Sequence, residues 1–133
     1  MAVKAGGVTV IDDSRNLLNT TLKGYSEKVN VITNATGNVS LDLSQHNIFN
    51  ITLVGNTVFT FTNAPATGTS VPATVILRQD STGNRTALFN NAKYTEGVLP
   101  QLSTVANRID VLSFFTVDGG SFYFGTFAMA NVS

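Results

Sequence analysis

The sequence is short of charge and has no cysteine, and both shortages exclude classes of function. Charged side chains make up 12% of the 133 residues, and eight basic residues balance eight acidic ones. A protein that binds nucleic-acid phosphates needs clustered Lys and Arg, so we expect no nucleic-acid partner. Without cysteine there is no disulfide framework and no thiolate chemistry.

Long apolar runs are also missing. No run approaches the roughly 20 residues that cross a bilayer, and the first residues lack the apolar centre of a secretory signal. We therefore expect no membrane partner and synthesis in the cytoplasm. A neutral, charge-poor surface resists self-association poorly. Either Thr, Asn and Ser cover that surface, or much of it is buried against partners.

Residues that could carry out catalysis are scarce. His46 is the only histidine, and no set of metal ligands lies at a suitable spacing around it. No Gly-x-Ser-x-Gly elbow is present, which leaves serine hydrolysis unsupported. Four aspartates lie in turn-like sequence, where Asp is favoured because it accepts backbone hydrogen bonds: Asp12, Asp13, Asp80 and Asp118. We predict no catalytic residue, no metal and no cofactor.

Apolar residues alternate with Thr, Ser and Asn through residues 39–62. A period of two places one apolar row on a buried face and the polar row on the other, which is typical of β-strands. Gly55-Asn56 separates two of these runs and is suited to the positive φ angles of a tight hairpin. The stretch therefore predicts an antiparallel meander.

The remaining strands are separated by turn signals. Tyr25, Val29 and Val31 share one parity and predict an edge strand, and residues 34–38 form a turn cluster. Hairpins are predicted at 79–84 and 117–122. In the strand from Arg108 to Val117, Ile109 and Val111 fall in phase, and the adjacent Phe114 and Phe115 are typical of a bulge.

These patterns predict an all-β protein. Strands recur every 8–12 residues or so, the spacing of a sandwich or barrel, so we expect an antiparallel, jelly-roll-like β-sandwich of about seven or eight short strands over residues 25–133. Residues 1–24 predict an extended N-terminal arm that needs another surface to lie on. Its candidate interface residues are apolar: Val8, Val10, Ile11, Leu17, Leu18 and Leu22.

Several stretches, in order, resemble a module of tailed-bacteriophage structural proteins, especially tail fibres and other virion proteins of phages that infect cyanobacteria and marine bacteria. They are Gly7-Val-Thr-Val-Ile-Asp-Asp-Ser-Arg-Asn16, Val39-Ser-Leu-Asp-Leu-Ser44, Phe49-Asn-Ile-Thr-Leu53, Val58-Phe-Thr-Phe-Thr-Asn-Ala-Pro65, Val75-Ile-Leu-Arg-Gln-Asp-Ser-Thr-Gly-Asn-Arg-Thr86 and Asn107-Arg-Ile-Asp-Val-Leu-Ser-Phe-Phe-Thr-Val-Asp-Gly-Gly120. The resemblance implies a structural role in the virion, commonly as a homotrimer in contact with major capsid or tail proteins. It brings no cofactor and no catalytic residue.

The size of the chain distinguishes between members of this group. In fibres such a module usually belongs to a long chain, whereas here it stands with only a short arm, which favours a capsid decoration (cement) protein. A tail-fibre or appendage protein is the first alternative. The second is a module that binds a host glycan, for which Tyr25, Tyr94 and Tyr123 are the natural contact residues.

Overall fold

The computed structural model describes residues 1–133 and is built from β-strands, with a single 3-10 turn at Thr95–Gly97. The strands are β1 (Val3–Ala5), β2 (Val8–Ile11), β3 (Val29–Asp42), β4 (Ile48–Thr62), β5 (Val71–Gln79), β6 (Ala87–Phe89), β7 (Ala92–Lys93), β8 (Ile109–Thr116) and β9 (Tyr123–Val132). β1 and β2 form their own sheet, and the other seven form a curled mixed sheet in the order β3-β4-β5-β8-β9-β7, with β6 beside β4. The all-β, sandwich-like prediction is confirmed. No helix is long and apolar enough to span a membrane.

The centre of the body is a parallel winding around one core. β3 runs parallel to β4 along its length, from Val29 opposite Ile48 to Asp42 opposite Thr62. The first half of β4 also pairs in parallel with β5, and the second half pairs in parallel with β6. Phe49 and Phe61 lie at the two ends of β4, and their rings pack edge-on with centroids 6.5 Å apart. One strand therefore contributes side chains to both layers of the core. The chain therefore winds as a short β-solenoid would, closed on one side by the antiparallel strands β8 and β9.

The predicted hairpin at Gly55-Asn56 is wrong, and with it the antiparallel meander. Both residues lie inside β4, and neither has a positive φ angle. The strand bends there without reversing. A Cβ atom on Gly55 would collide with the side chain of Thr36 on β3, so glycine is needed for close approach between strands. Alternation reports which face is buried but not whether the neighbouring strand is parallel.

Two other segments predicted as a turn and a hairpin, residues 34–38 and 79–84, have different structures. Residues 34–38 lie within β3 as an irregularity in its pairing with β4, where Gly37 has a φ angle of 67°. The predicted 79–84 hairpin is a loop, because β5 and β6 each pair with β4 and not with one another. Asp80 still builds this loop by accepting the backbone N–H groups of Thr82 and Gly83. Its hydrogen bond from Arg85 holds the pKa of Asp80 below the ordinary value.

The 117–122 hairpin is confirmed. β8 and β9 are antiparallel, and Gly119 and Gly120 supply the positive φ angles between them. Asp118 Oδ1 accepts a hydrogen bond from Thr116 Oγ1 at 2.9 Å, and this bond fixes the start of the turn. This is a structural use of Asp, as its position in turn-like sequence predicted.

Aromatic rings from both layers meet at the centre of the core. Phe59 stacks on Phe89 at 5.0 Å between ring centroids, which links adjacent turns of the winding. Phe61 contacts Phe114 at 5.2 Å and Tyr123 at 4.7 Å, and so joins the winding to β8 and β9. Aromatic pairs add to the free energy of area burial, so these contacts tie the two parts of the body into one core.

One row of β8 is buried and the other points outward. Its buried row is Asp110, Leu112, Phe114 and Thr116, while Ile109, Val111 and Phe115 point outward. Pairing with β5 is regular across Phe114 and Phe115, so there is no bulge between them in that ladder. Both rows of β8 carry large apolar residues, and periodicity alone could not decide which row is buried.

Candidate interaction surfaces

The two outer faces of the body differ in composition. We use the name apolar face for the outward positions of β5, β8, β9 and the first halves of β3 and β4. Arg78 is its only charged residue. Its large apolar side chains include Val29, Val31, Ile76, Val111, Phe115 and Met129. The strand register places Val111 between Ile76 and Met129. On the other side of Ile76, Asn50 separates it from Val31.

Aromatic rings extend the apolar face at the turn end of β9. Phe115 and Phe124 are cross-strand partners with ring centroids 5.0 Å apart, and 44% and 41% of their surfaces are exposed. The ring of Phe122 packs edge-on against Phe124 at 4.9 Å. Lys93 Nζ lies 4.1 Å from the centroid of Phe122, a cation–π contact that leaves the other rings open.

The opposite outer face is largely polar. We use the name polar face for the outward positions of β6 and the second halves of β3 and β4, where Ser40, Thr60 and Asn90 lie side by side. Asn90 Nδ2 donates a hydrogen bond to Thr60 Oγ1 at 2.8 Å. Val58 and Leu88 are its apolar members. Thr, Asn and Ser also lie on the apolar face, at Asn50, Thr74 and Ser113, but that face carries more large apolar side chains than the polar face does.

The N-terminal arm is a small folded unit and not a plain extended segment. β1 and β2 form a hairpin, and Leu18 N donates to Val10 O, so the chain doubles back beside β2. Asp12 accepts hydrogen bonds from the side-chain amide of Asn16 and from the backbone N–H groups of Asn16 and Ser14, and these bonds lower the pKa of Asp12. The strand pairs and hydrogen bonds made by residues 1–24 all stay within the arm.

The candidate interface residues of the arm fall into two groups. Val10 and Ile11 are half-buried within the hairpin. Val8, Leu17 and Leu22 are each more than half exposed, and Leu18 is exposed by 36%. The arm therefore presents aliphatic side chains for which the body of the same chain provides no cover.

The structure does not bring the three candidate glycan contacts together. Tyr25 is exposed between the arm and β3. Tyr94 is half-buried, with its ring edge-on to Phe114 at 6.3 Å. Tyr123 is 3% exposed and packs on Phe61, so its ring has no free face on which a sugar could stack.

A pocket of about 220 Å³ lies beside Tyr94, between β6 and the loop that precedes β8. Its lining is mainly apolar and includes Leu88, Leu99 and Pro100, with Arg85 as the one charged residue. No group of three or more His, Cys, Asp or Glu side chains is close enough together to hold a metal ion. The lining offers no pair of groups for acid–base or nucleophilic chemistry.

A buried polar pair anchors the loops around this pocket. The carboxylate of Asp110 accepts hydrogen bonds from Ser103 N and Ser103 Oγ, both at 2.6 Å, and from Asn131 N at 3.0 Å. Gln79 accepts Arg85 N and donates to the carbonyls of Arg85 and Ser103. Sequence reasoning missed both residues. The available signal was that Asp110 shares a parity with Leu112 and Phe114, which would place it on a buried row. A buried carboxylate needs several hydrogen-bond donors, so such an Asp indicates a structural anchor.

The environment of Tyr94 predicts a loss of stability at alkaline pH. Burial raises the pKa of Tyr94 from 10.0 to about 12 because the phenolate is poorly solvated there. The unfolded chain therefore releases the proton first. The contribution of the neutral Tyr94 side chain to stability is therefore complete below pH 10. Between pH 10 and pH 12 the free energy of unfolding should fall by about 1 kcal/mol per pH unit. Denaturation with urea at several pH values should show this slope reduced in Tyr94→Phe, and an unchanged slope would contradict the assignment.

No protein-family model, curated protein or solved structure matches this chain. The features of this chain that bear on function are its two unlike faces, the exposed arm and the sequence motifs.

Proposed function

We propose that the protein is a non-enzymatic structural component of a tailed-bacteriophage particle, of the capsid decoration (cement) type. It assembles as a homotrimer and contacts major capsid or tail proteins. It is made in the host cytoplasm and ends in the virion. The order of the sequence motifs supports the phage assignment.

The apolar face is the observation that carries the proposal of permanent assembly. Val31 is 62% exposed and Met129 is 54% exposed at opposite sides of a surface with one charged residue, Arg78. Monomeric proteins rarely leave large apolar patches in water, and such patches mark interaction sites. Interfaces that never need to dissociate tolerate a lack of charge better than transient ones do.

The absence of a reactive constellation supports a structural role. The aspartates at positions 12, 80 and 118 accept turn hydrogen bonds, and Asp110 is occupied by Ser103 and Asn131. His46 lies edge-on to Phe49, away from any carboxylate pair that could form a catalytic site.

Removal of residues 2–20 tests this proposal. The truncated chain should remain soluble and folded, because the hydrogen bonds of this segment stay within the arm. It should no longer join phage particles, which immunogold electron microscopy can measure against the full chain expressed in the same infected cells. Normal incorporation of the truncated chain would show that the arm is not needed for assembly into the particle.

A further inference from the structure

Two features of the chain remain without a partner in the body that carries them. The first is the apolar face, with Val31 and Met129 each more than half exposed. The second is the arm, which exposes Val8, Leu17 and Leu22 to a similar degree. Burial against another apolar surface would remove the apolar area of both features from water and so stabilise them.

The arm is a poor candidate for independent stability. Its sheet has only β1 and β2, three and four residues long. An isolated two-stranded hairpin is marginally stable at best in water, and it needs packing against another apolar surface. The hairpin therefore requires a docking surface, and the apolar face offers exposed apolar side chains from several strands.

We infer that the arm of one copy docks on the apolar face of a second copy of the same chain. The arm leads directly into β3, whose first residues Val29 and Val31 form the border of this face. A segment that leaves the body at that border is close to a neighbouring molecule packed alongside. The inference deepens the proposed function and rests on its self-assembly part, not on its phage part.

A neighbouring copy fits better than the copy that carries the arm. The arm does not cover its own apolar face, where Val31 and Met129 remain open at the two borders and Phe115 is 44% exposed. Each chain has one arm and one apolar face, so a closed ring of copies satisfies every arm and every face equally. A homotrimer is one such ring.

The absence of cysteine makes a crosslinking test specific. One chain carries Leu17→Cys in the arm, and a second, labelled with nitrogen-15, carries Met129→Cys on the apolar face. The two are mixed, allowed to reassemble and treated with a short bismaleimide. We expect a crosslinked product of twice the 14.1 kDa chain mass that contains one labelled and one unlabelled chain.

The matched control replaces Met129→Cys by Asn38→Cys, which is exposed on the polar face. This pair should give little mixed product. Equal crosslinking of both pairs would overturn the inference. Crosslinking only within single chains of a Leu17→Cys, Met129→Cys double variant, at high dilution, would also overturn it.

Light scattering separates failure of the inference from failure of the proposed assembly. An oligomer without Leu17–Met129 crosslinks retains self-assembly and rejects the docking surface, whereas a mass of 14.1 kDa rejects both. As a second line, Val31→Asp should reduce the mass of the oligomer to that of one chain, and Asn38→Asp should leave it unchanged. Both positions are exposed on β3, so neither variant disturbs the core. Retention of the oligomer by Val31→Asp counts against the inference.

Discussion

Phe61→Ala is expected to destabilise the body by about 3–5 kcal/mol, a large part of the stability of an ordinary domain. The ring of Phe61 is buried and lies within 6.5 Å, centroid to centroid, of four other aromatic rings: Phe49, Phe89, Phe114 and Tyr123. Truncation removes apolar transfer energy and leaves a cavity between the two layers that rigid β-strands cannot close. Urea denaturation followed by circular dichroism measures the loss.

Phe115→Ala is the matched control, because the same change is made on the outside of the same sheet. Its ring is 44% exposed on the apolar face. We expect a loss of stability below about 1 kcal/mol in the isolated chain, since little buried surface is removed. Equal losses for the two variants would contradict the assignment of inner and outer faces of the body.

Asp110→Asn is the second change with a large expected effect, about 3 kcal/mol. The carboxylate is 3% exposed and accepts three hydrogen bonds, two from Ser103 and one from Asn131 N. An amide of the same shape turns an NH₂ group towards at least one N–H donor, so a buried donor loses its acceptor. Amide hydrogen exchange should show faster exchange at Ser103 and Asn131, together with the loss of global stability.

Asp13→Asn provides the comparison for Asp110. The side chain of Asp13 is 77% exposed and its ion pair is with the N-terminal amine of Met1. Exposed ion pairs contribute little, so we expect no measurable change in unfolding. If Asp110→Asn were as harmless as Asp13→Asn, the buried carboxylate would not be the anchor of the loop before β8.

The general class of the fold could be read from the chain, and so could the turn between β8 and β9. Alternation of apolar and polar residues through 39–62 predicted strands, and strands are present on both sides of Gly55. Asp118-Gly119 predicted the turn between β8 and β9. These features depend on backbone sterics and side-chain period, which act over a few residues and are visible locally.

The pairing of the strands could not be read in the same way. The strand partners of β4 come from three separate parts of the chain, and all three run parallel to it. A parallel neighbour and an antiparallel neighbour demand the same alternation, so Gly55-Asn56 gave a turn signal where the strand only bends. Gly55 is needed because it lies close to the side chain of Thr36. Thr36 is 19 residues away in the chain, so no local sequence pattern reveals this contact.

The candidate surfaces show the same division. Val8, Leu17 and Leu22 were recognisable as arm residues in need of cover, because apolar side chains in irregular sequence signal an interface. The apolar face was not recognisable. Both rows of β8 carry large apolar residues, and the packing of Phe114 against Phe61 and Phe89 places its row inside the body.

The sequence by itself determined that this protein is all-β and poor in charge, because both properties depend on residue type and short-range period. The tertiary structure decided which apolar row is buried and which is left for a partner. That choice depends on how distant strands share one core, and where both rows of a strand are apolar no local pattern distinguishes them.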